Sequence, residues 1–275
     1  MAVTRLLPLL IALVTTSAGA TPFGELSGKP DLRSASAIVV DSSGELIYGK
    51  DVDTVRPIAS ITKLMTAMVI LDSGLDLEEK ITVTKDDRDL VRLTGSRLEY
   101  GASLPRRDML LLALMASENR AAAALGRTFP GGTEQFVAAM NARAADLGMV
   151  NTHFADPVGL ATENVSTAQD LARMLLAAEN YPLVAQASTT RRLDVRPYRS
   201  RGPLTYGNTN RLLKNATWDI ELSKTGYINE AGRCLVMQAT ILGEEVSIVL
   251  LNSFGKLTPF GDSNRLRRWL TNGQS

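Results

Sequence analysis

Strand-type runs lie at both ends of this chain and helix-type runs fill its middle, and that order constrains the fold more than any other feature. Residues 35–40 form a β-type run, Asp41-Ser42-Ser43-Gly44 is turn chemistry, and 45–48 continues as a second strand, which reads as a hairpin. Strand patterns return after residue 191, at 192–195, 221–225, 233–242 and 245–251, with Gly243 turning between the last two. Between these ends the spacing is helical. Ile61, Leu64, Met65, Met68 and Val69 recur at amphipathic intervals and predict a helix over 60–72. Further helices are expected at 105–115, 121–125 and 133–147, with a short strand at 81–83. Ser166-Thr167-Ala168-Gln169 reads as a capping box opening a helix to 178. A final helix over 263–271 carries Leu266, Trp269 and Leu270 as its packed face. The pattern is α+β, with the N-terminal hairpin and the C-terminal strands joining one antiparallel sheet.

Composition excludes several function classes. Lys+Arg total 30 against 29 Asp+Glu, so the chain lacks the basic excess expected of a nucleic-acid binder. A single cysteine, Cys234, and a single histidine, His153, cannot build a zinc site of the usual ligand types unless carboxylates supply the rest. Cys234 lies in an apolar strand pattern and reads as a small buried hydrophobe; His153 is assigned no role. Arg5, an apolar run over 6–14 and Ala18-Gly19-Ala20 follow the order of a secretory signal, so residues 1–20 are expected to be removed on export. Residues 21–34, rich in Gly, Pro and polar residues, are expected to form a flexible lead-in, and 35–275 a single domain.

Three short constellations could carry chemistry. Ser60 and Lys63 lie three apart at a helix start, so both project from one face. A serine hydroxyl needs a base to become a nucleophile, and a lysine serves if burial or a second cation keeps it neutral. Ser60 as a plain N-cap with a solvated Lys63 fits the same pair, and Ser253-Phe254-Gly255-Lys256 repeats the spacing in a loop. Ser117-Glu118-Asn119 lies between two helices, where a hydroxyl and an amide can face one cleft or simply cap a turn. Lys224-Thr225-Gly226 ends a strand. Its cation and hydroxyl suit a carboxylate, Gly226 allows a ligand close to the backbone, and Tyr227 offers an N–H beyond it.

In this order and on these elements, S-x-x-K, S-x-N and K-T-G form the signature shared by class A β-lactamases and penicillin-binding proteins. The resemblance extends through residues 97–125, with LLLALMASENRAAAAL, and through MNARAADLGMVNTHFADPVGL (140–160), NTNRLL (208–213) and SKTGYINEAGRCLVMQA (223–239). The chain resembles the low-molecular-weight penicillin-binding proteins, and within them the D-alanyl-D-alanine endopeptidases. That resemblance implies a β-lactamase/DD-peptidase-like fold: an antiparallel sheet flanked by helices plus a mainly helical lobe, with the site between them. By analogy Ser60 attacks the D-alanine carbonyl and Lys63 takes its proton. Ser117 passes a proton to the leaving amine, Asn119 holds the substrate amide, and Lys224 and Thr225 face the substrate carboxylate. The N–H groups of Ser60 and Tyr227 form the oxyanion hole. Lys224 beside Lys63 would help keep it neutral, and Glu118 is taken as an exposed, variable position.

The resemblance implies a periplasmic enzyme acting on peptidoglycan stem peptides and cross-links, inhibited covalently by β-lactams, without metal or organic cofactor. A DD-carboxypeptidase attacks the same bond type and stays open as an alternative. A class A-like β-lactamase would need a glutamate in an E-x-x-L-N segment to activate water, and none is found. A non-catalytic β-lactam sensor would be expected to carry membrane helices and a cytoplasmic relay, and neither is read in this sequence; a peptidoglycan-binding module without activity would not need the intact set of Ser60, Lys63, Ser117, Asn119 and Lys224.

Overall fold

A computed structural model of the chain describes residue 23 and residues 26–272; the signal-type segment 1–20 lies outside the described residues. The two ends of the chain do join one sheet. Strands β1 (Ser36–Asp41) and β2 (Leu46–Lys50) form the N-terminal hairpin, while β3 (Asp219–Ile228), β4 (Gly232–Ile241) and β5 (Glu244–Ser253) form a meander. The spatial order is β2-β1-β5-β4-β3, with every pairing antiparallel. The first turn is set by Asp41, whose Oδ1 accepts from the N–H groups of Ser43 and Glu45, both at 2.9 Å.

Both sheet faces are covered. Alternation along the strands sends Ile38, Val40, Val236, Val249 and Leu251 into one apolar cluster, and Ala37, Val39, Leu235, Met237, Ile248 and Leu250 into another. The second cluster is closed by α7 (Thr258–Asn272) through Leu266 and Leu270. The first is the main core. It contains α1 (Thr62–Asp72), α2 (Arg106–Met115), α3 (Asn119–Arg127), α4 (Gly132–Asp146), α5 (Ala168–Ala178) and α6 (Pro182–Thr189). Among the described residues no helix is long and apolar enough to cross a membrane.

Four local expectations are corrected. The spacing of α1 suggested a solvent-facing side, but Thr62 to Ile70 are all buried. Its polar residues face a protein loop: Thr66 Oγ1 donates to the Pro157 carbonyl at 2.6 Å. The cap of α5 is Thr167, not Ser166. Thr167 is extended and accepts from the Asp170 N–H at 3.1 Å, while Ser166 pairs with Arg56 in a two-residue ribbon. Residues 192–195 do not join the main sheet but pair with Leu204–Gly207. The described part of the lead-in is anchored: Arg33 and Ser34 donate their N–H groups to Asp262 of α7, and Lys50 Nζ donates to the carbonyls of Leu32 and Ser34 at 2.9 and 2.8 Å.

Candidate active site

Ser60 lies in a single 3-10 turn, Ala59–Ile61, that runs into α1. Ala59 holds a φ of 49°, a left-handed conformation that a residue with a Cβ adopts at a cost of about 1–2 kcal/mol. The surroundings impose it. Thr62 Oγ1 donates to the Ala59 carbonyl at 2.8 Å. Gly159, itself at φ +82°, packs so closely that a Cβ there would lie 2.0 Å from the Ala59 oxygen.

Lys63, one turn further on, is fully buried. Its Nζ contacts Ser60 Oγ at 2.9 Å, Asn119 Oδ1 at 2.9 Å and the Val158 carbonyl at 2.7 Å. Two of these oxygens can only accept; the third is a hydroxyl that can also donate. A neutral amine carries two protons and one lone pair. The protons satisfy Asn119 and Val158, and the lone pair is left facing the Ser60 hydroxyl. Burial lowers Lys63 from its ordinary value to about 7, against the opposing pull of the Asp156 and Glu118 carboxylates.

The Val158 carbonyl is placed by Asp156. That carboxylate accepts the N–H groups of Val158 (2.5 Å), Gly159 (2.6 Å), Leu160 (3.2 Å) and Ala161 (2.7 Å), and Asn164 Nδ2 at 2.9 Å. One side chain thus folds the loop that floors the site. Asn119 is oriented from the other side: its Nδ2 donates to Thr94 Oγ1 at 2.9 Å, which turns its Oδ1 toward Lys63. Ser117 has φ 57° at the break between α2 and α3 and lines the same cleft as Ser60. Glu118 is buried, contrary to expectation. It is the N-cap of α3, accepting from the Arg120 N–H at 3.3 Å and from Ser96 Oγ at 2.6 Å.

The third constellation lies on β3, an edge strand of the sheet. Lys224 is buried and its Nζ donates to the Thr225 carbonyl at 3.0 Å. Burial lowers its pKa well below the ordinary lysine value, and the charge of Lys63 lowers it further. At Lys63 burial is the leading cause, so Lys224 is not the main reason that Lys63 is neutralised. Thr225 Oγ1 donates to Thr209 Oγ1 at 2.7 Å. At Gly226 the close neighbour is the turn that carries Ser60: a Cβ would come 2.9 Å from the Ile58 oxygen and 3.2 Å from the Ser60 nitrogen. Tyr227 is exposed beneath the Arg233 guanidinium, 3.6 Å from its ring centroid.

Ser60, Ser117, Asn119, Thr225, Gly226 and Tyr227 all line one cleft of about 1070 Å³, with Lys63 and Lys224 buried behind the wall. Asp156, Val158 and Thr94 were not anticipated. Asp156-Pro157-Val158-Gly159 is legible as turn chemistry, but nothing local says that the turn faces a lysine 95 residues away. Cys234 is buried as expected, its thiol pushed up to about 11 by burial. His153 is exposed and pairs with Val165 through its backbone alone.

A buried Ser–Lys pair, a Ser-x-Asn turn and a Lys-Thr-Gly edge strand around one cleft define an active-site serine peptidase of the penicillin-binding type. Residues 24–255 match the D-alanyl-D-alanine carboxypeptidase family, peptidase family S11, and the chain belongs to it. It is 50% identical over 273 residues to the D-alanyl-D-alanine endopeptidase of Pseudomonas aeruginosa, covering 99% of this chain and 88% of that protein. It is 46% identical over 264 residues to the D-alanyl-D-alanine endopeptidase of Escherichia coli, covering 96% and 84%. The crystal structure of the DD-transpeptidase of Streptomyces K15 matches with a TM-score of 0.83 at 28% identity, over 90% of this chain and 100% of that one.

Proposed function

We propose that this chain is a DD-endopeptidase that cuts D-alanyl peptide bonds in peptidoglycan cross-links through an acyl-enzyme on Ser60. The observation that carries the reading is the environment of Lys63: its Nζ lies 2.9 Å from Ser60 Oγ and its other two partners are oxygens that can only accept, so once neutral it turns its lone pair to the Ser60 hydroxyl. Ser60 Oγ attacks the D-alanine carbonyl as Lys63 takes its proton. The developing oxyanion is met by the N–H groups of Ser60 and Tyr227. Ser117 delivers a proton to the leaving amine, and the peptide C–N bond breaks to give an ester on Ser60. Water then cleaves the ester and restores the serine. Lys224 and Thr225 hold the carboxylate on the leaving side. Asn119 keeps one N–H and one lone pair free after its bonds to Lys63 and Thr94, enough to hold the substrate amide.

The endopeptidase reading is favoured over the carboxypeptidase by the names of the two relatives at 50% and 46% identity. Attack on a β-lactam carbonyl follows the same path. Among the described residues no Asp or Glu lines the cleft, so water has no carboxylate base in its lining and the penicilloyl ester should persist. The signal-type segment 1–20 and a cell-wall substrate together support a periplasmic location.

The test is fluorescent penicillin labelling of the wild type beside Ser60→Ala, followed by digestion of cross-linked stem-peptide dimers and of uncross-linked pentapeptides. A lasting band only on the wild type, with dimers cut faster than pentapeptides, is expected. Faster release of terminal D-alanine would replace the reading with the carboxypeptidase, and a band that fades within seconds would replace it with a β-lactamase.

A further inference from the structure

The cleft is charged in one sense only. Arg92, Arg211, Lys214, Arg233 and Lys256 line it, and among the described residues no carboxylate does. The whole chain is balanced, at 30 bases against 29 acids, so the asymmetry is local. Two of these cations are already engaged: Arg92 donates to Glu230 at 2.8 Å and to the Leu160 carbonyl at 2.7 Å, and Arg233 lies over Tyr227. Arg211, Lys214 and Lys256 have no carboxylate partner among the described residues, and of the three Arg211 and Lys214 share one turn beside Thr225.

These two residues are the first and last of a 3-10 turn, Arg211–Lys214. In that geometry side chains three apart eclipse one another, so both leave the turn on the same side. The turn is well anchored. Asn210, itself buried, accepts from the Leu212 N–H at 2.9 Å, and Leu212 and Leu213 are buried beneath it. Its position relative to the chemistry is fixed by Thr209, which accepts from Thr225 Oγ1 and donates its own N–H to the Met115 carbonyl at 3.0 Å. The two cations therefore stand just beyond Thr225, on the leaving side of the scissile bond.

We propose that Arg211 and Lys214 form a subsite for a free carboxylate of the peptide strand that departs as the amine. The inference rests on the endopeptidase reading. A departing single D-alanine brings one carboxylate, which Lys224 and Thr225 take. A departing stem peptide brings further carboxylates, and the turn that carries Arg211 and Lys214 stands next to Thr225, where they can be met. The subsite would make the enzyme select cross-links over single terminal residues.

The test compares the wild type, R211Q/K214Q and the charge-conserving R211K/K214R on a cross-linked stem-peptide dimer. Two exposed charge pairs should be worth roughly a fivefold rise in KM for the dimer in the Gln variant, with kcat within about twofold. The salt dependence of KM should shrink, and R211K/K214R should restore most of the affinity. Acylation by fluorescent penicillin, whose one carboxylate would be taken by Lys224 and Thr225, should stay within about twofold. Protection of Ser60 from penicillin by the dimer provides a binding readout that needs no cleavage. If the wild type takes penicillin and is protected by the dimer without cutting it, the endopeptidase reading fails while the subsite still stands or falls on the protection constants. Equal KM and equal protection in wild type and R211Q/K214Q, or an equal loss toward penicillin, would overturn the subsite.

Discussion

The chain contains the spacing Ser-x-x-Lys twice, and the two regions behave as opposites. At Ser60 the serine and lysine lie on the turn and first helical residues of α1, in contact at 2.9 Å, with the lysine fully buried. At Ser253 the serine ends β5 and is buried against Ser34, Oγ to Oγ 2.7 Å, as part of the Asp262 network that pins the lead-in. Phe254 and Lys256 are exposed in the loop that follows, and the backbone between them is not helical. Helical geometry brings residues three apart together; an irregular loop does not. Desolvation then does the rest, because only a lysine removed from water loses its proton near neutral pH. Spacing proposes a pair, and burial on a helix brings its two side chains into contact.

The comparison breaks first at the serines. Ser60→Ala should abolish penicillin labelling, whereas Ser253→Ala should label at the wild-type rate; labelling that survives in the first and vanishes in the second would reverse the assignment. Lys63→Met should slow acylation by about 10² to 10⁴, the usual contribution of a positioned base. The same step should show the titration of Lys63. Since the neutral amine is the active form, the acylation rate should rise with pH through about 7 and fall about tenfold per unit below it. A rate flat between pH 5 and 9 would remove Lys63 as the base.

A smaller effect is expected at Asp156→Asn, measured by denaturant unfolding and by the pH profile of acylation. One carboxylate oxygen is replaced by an NH2 group, a donor facing backbone N–H groups, so a loss of about 2–4 kcal/mol of stability is expected. Loss of the negative charge near Lys63 should also move the rise in rate to lower pH, since Asp156 holds that lysine up. An unmoved profile would show that Asp156 acts only through the loop. Smallest is the stability cost of Ser253→Ala, about 1 kcal/mol for one buried hydrogen bond, read as a lowered Tm.

Much of the framework was legible. The hairpin, the meander and the main helices follow from alternation and helical spacing, which are local properties. What escaped was decided at a distance. Glu118 reads as an exposed acid between two functional residues, yet Ser96 and the α3 cap draw it inward. Residues 182–189 fold as a helix packed against β3 with no long apolar stripe to announce it. The lead-in looks loose because it is polar, but its N–H groups find Asp262 more than 220 residues later. Around the site, the Ser60, Ser117 and Lys224 motifs were readable, while the supports, Thr94, Asp156 and Val158, were not.

By itself the sequence determined the α+β class, the antiparallel sheet built from both ends of the chain and the order of the three chemical motifs, because periodicity and spacing are written along the chain. Only the tertiary structure decided which Ser-x-x-Lys has its lysine buried, which oxygens surround Lys63 and which cations line the cleft without a carboxylate partner among the described residues. Those are matters of desolvation and of contacts between residues far apart in sequence, and both come into being only when the loop at 156–161, the turn at 209–214 and the edge strand β3 close around α1.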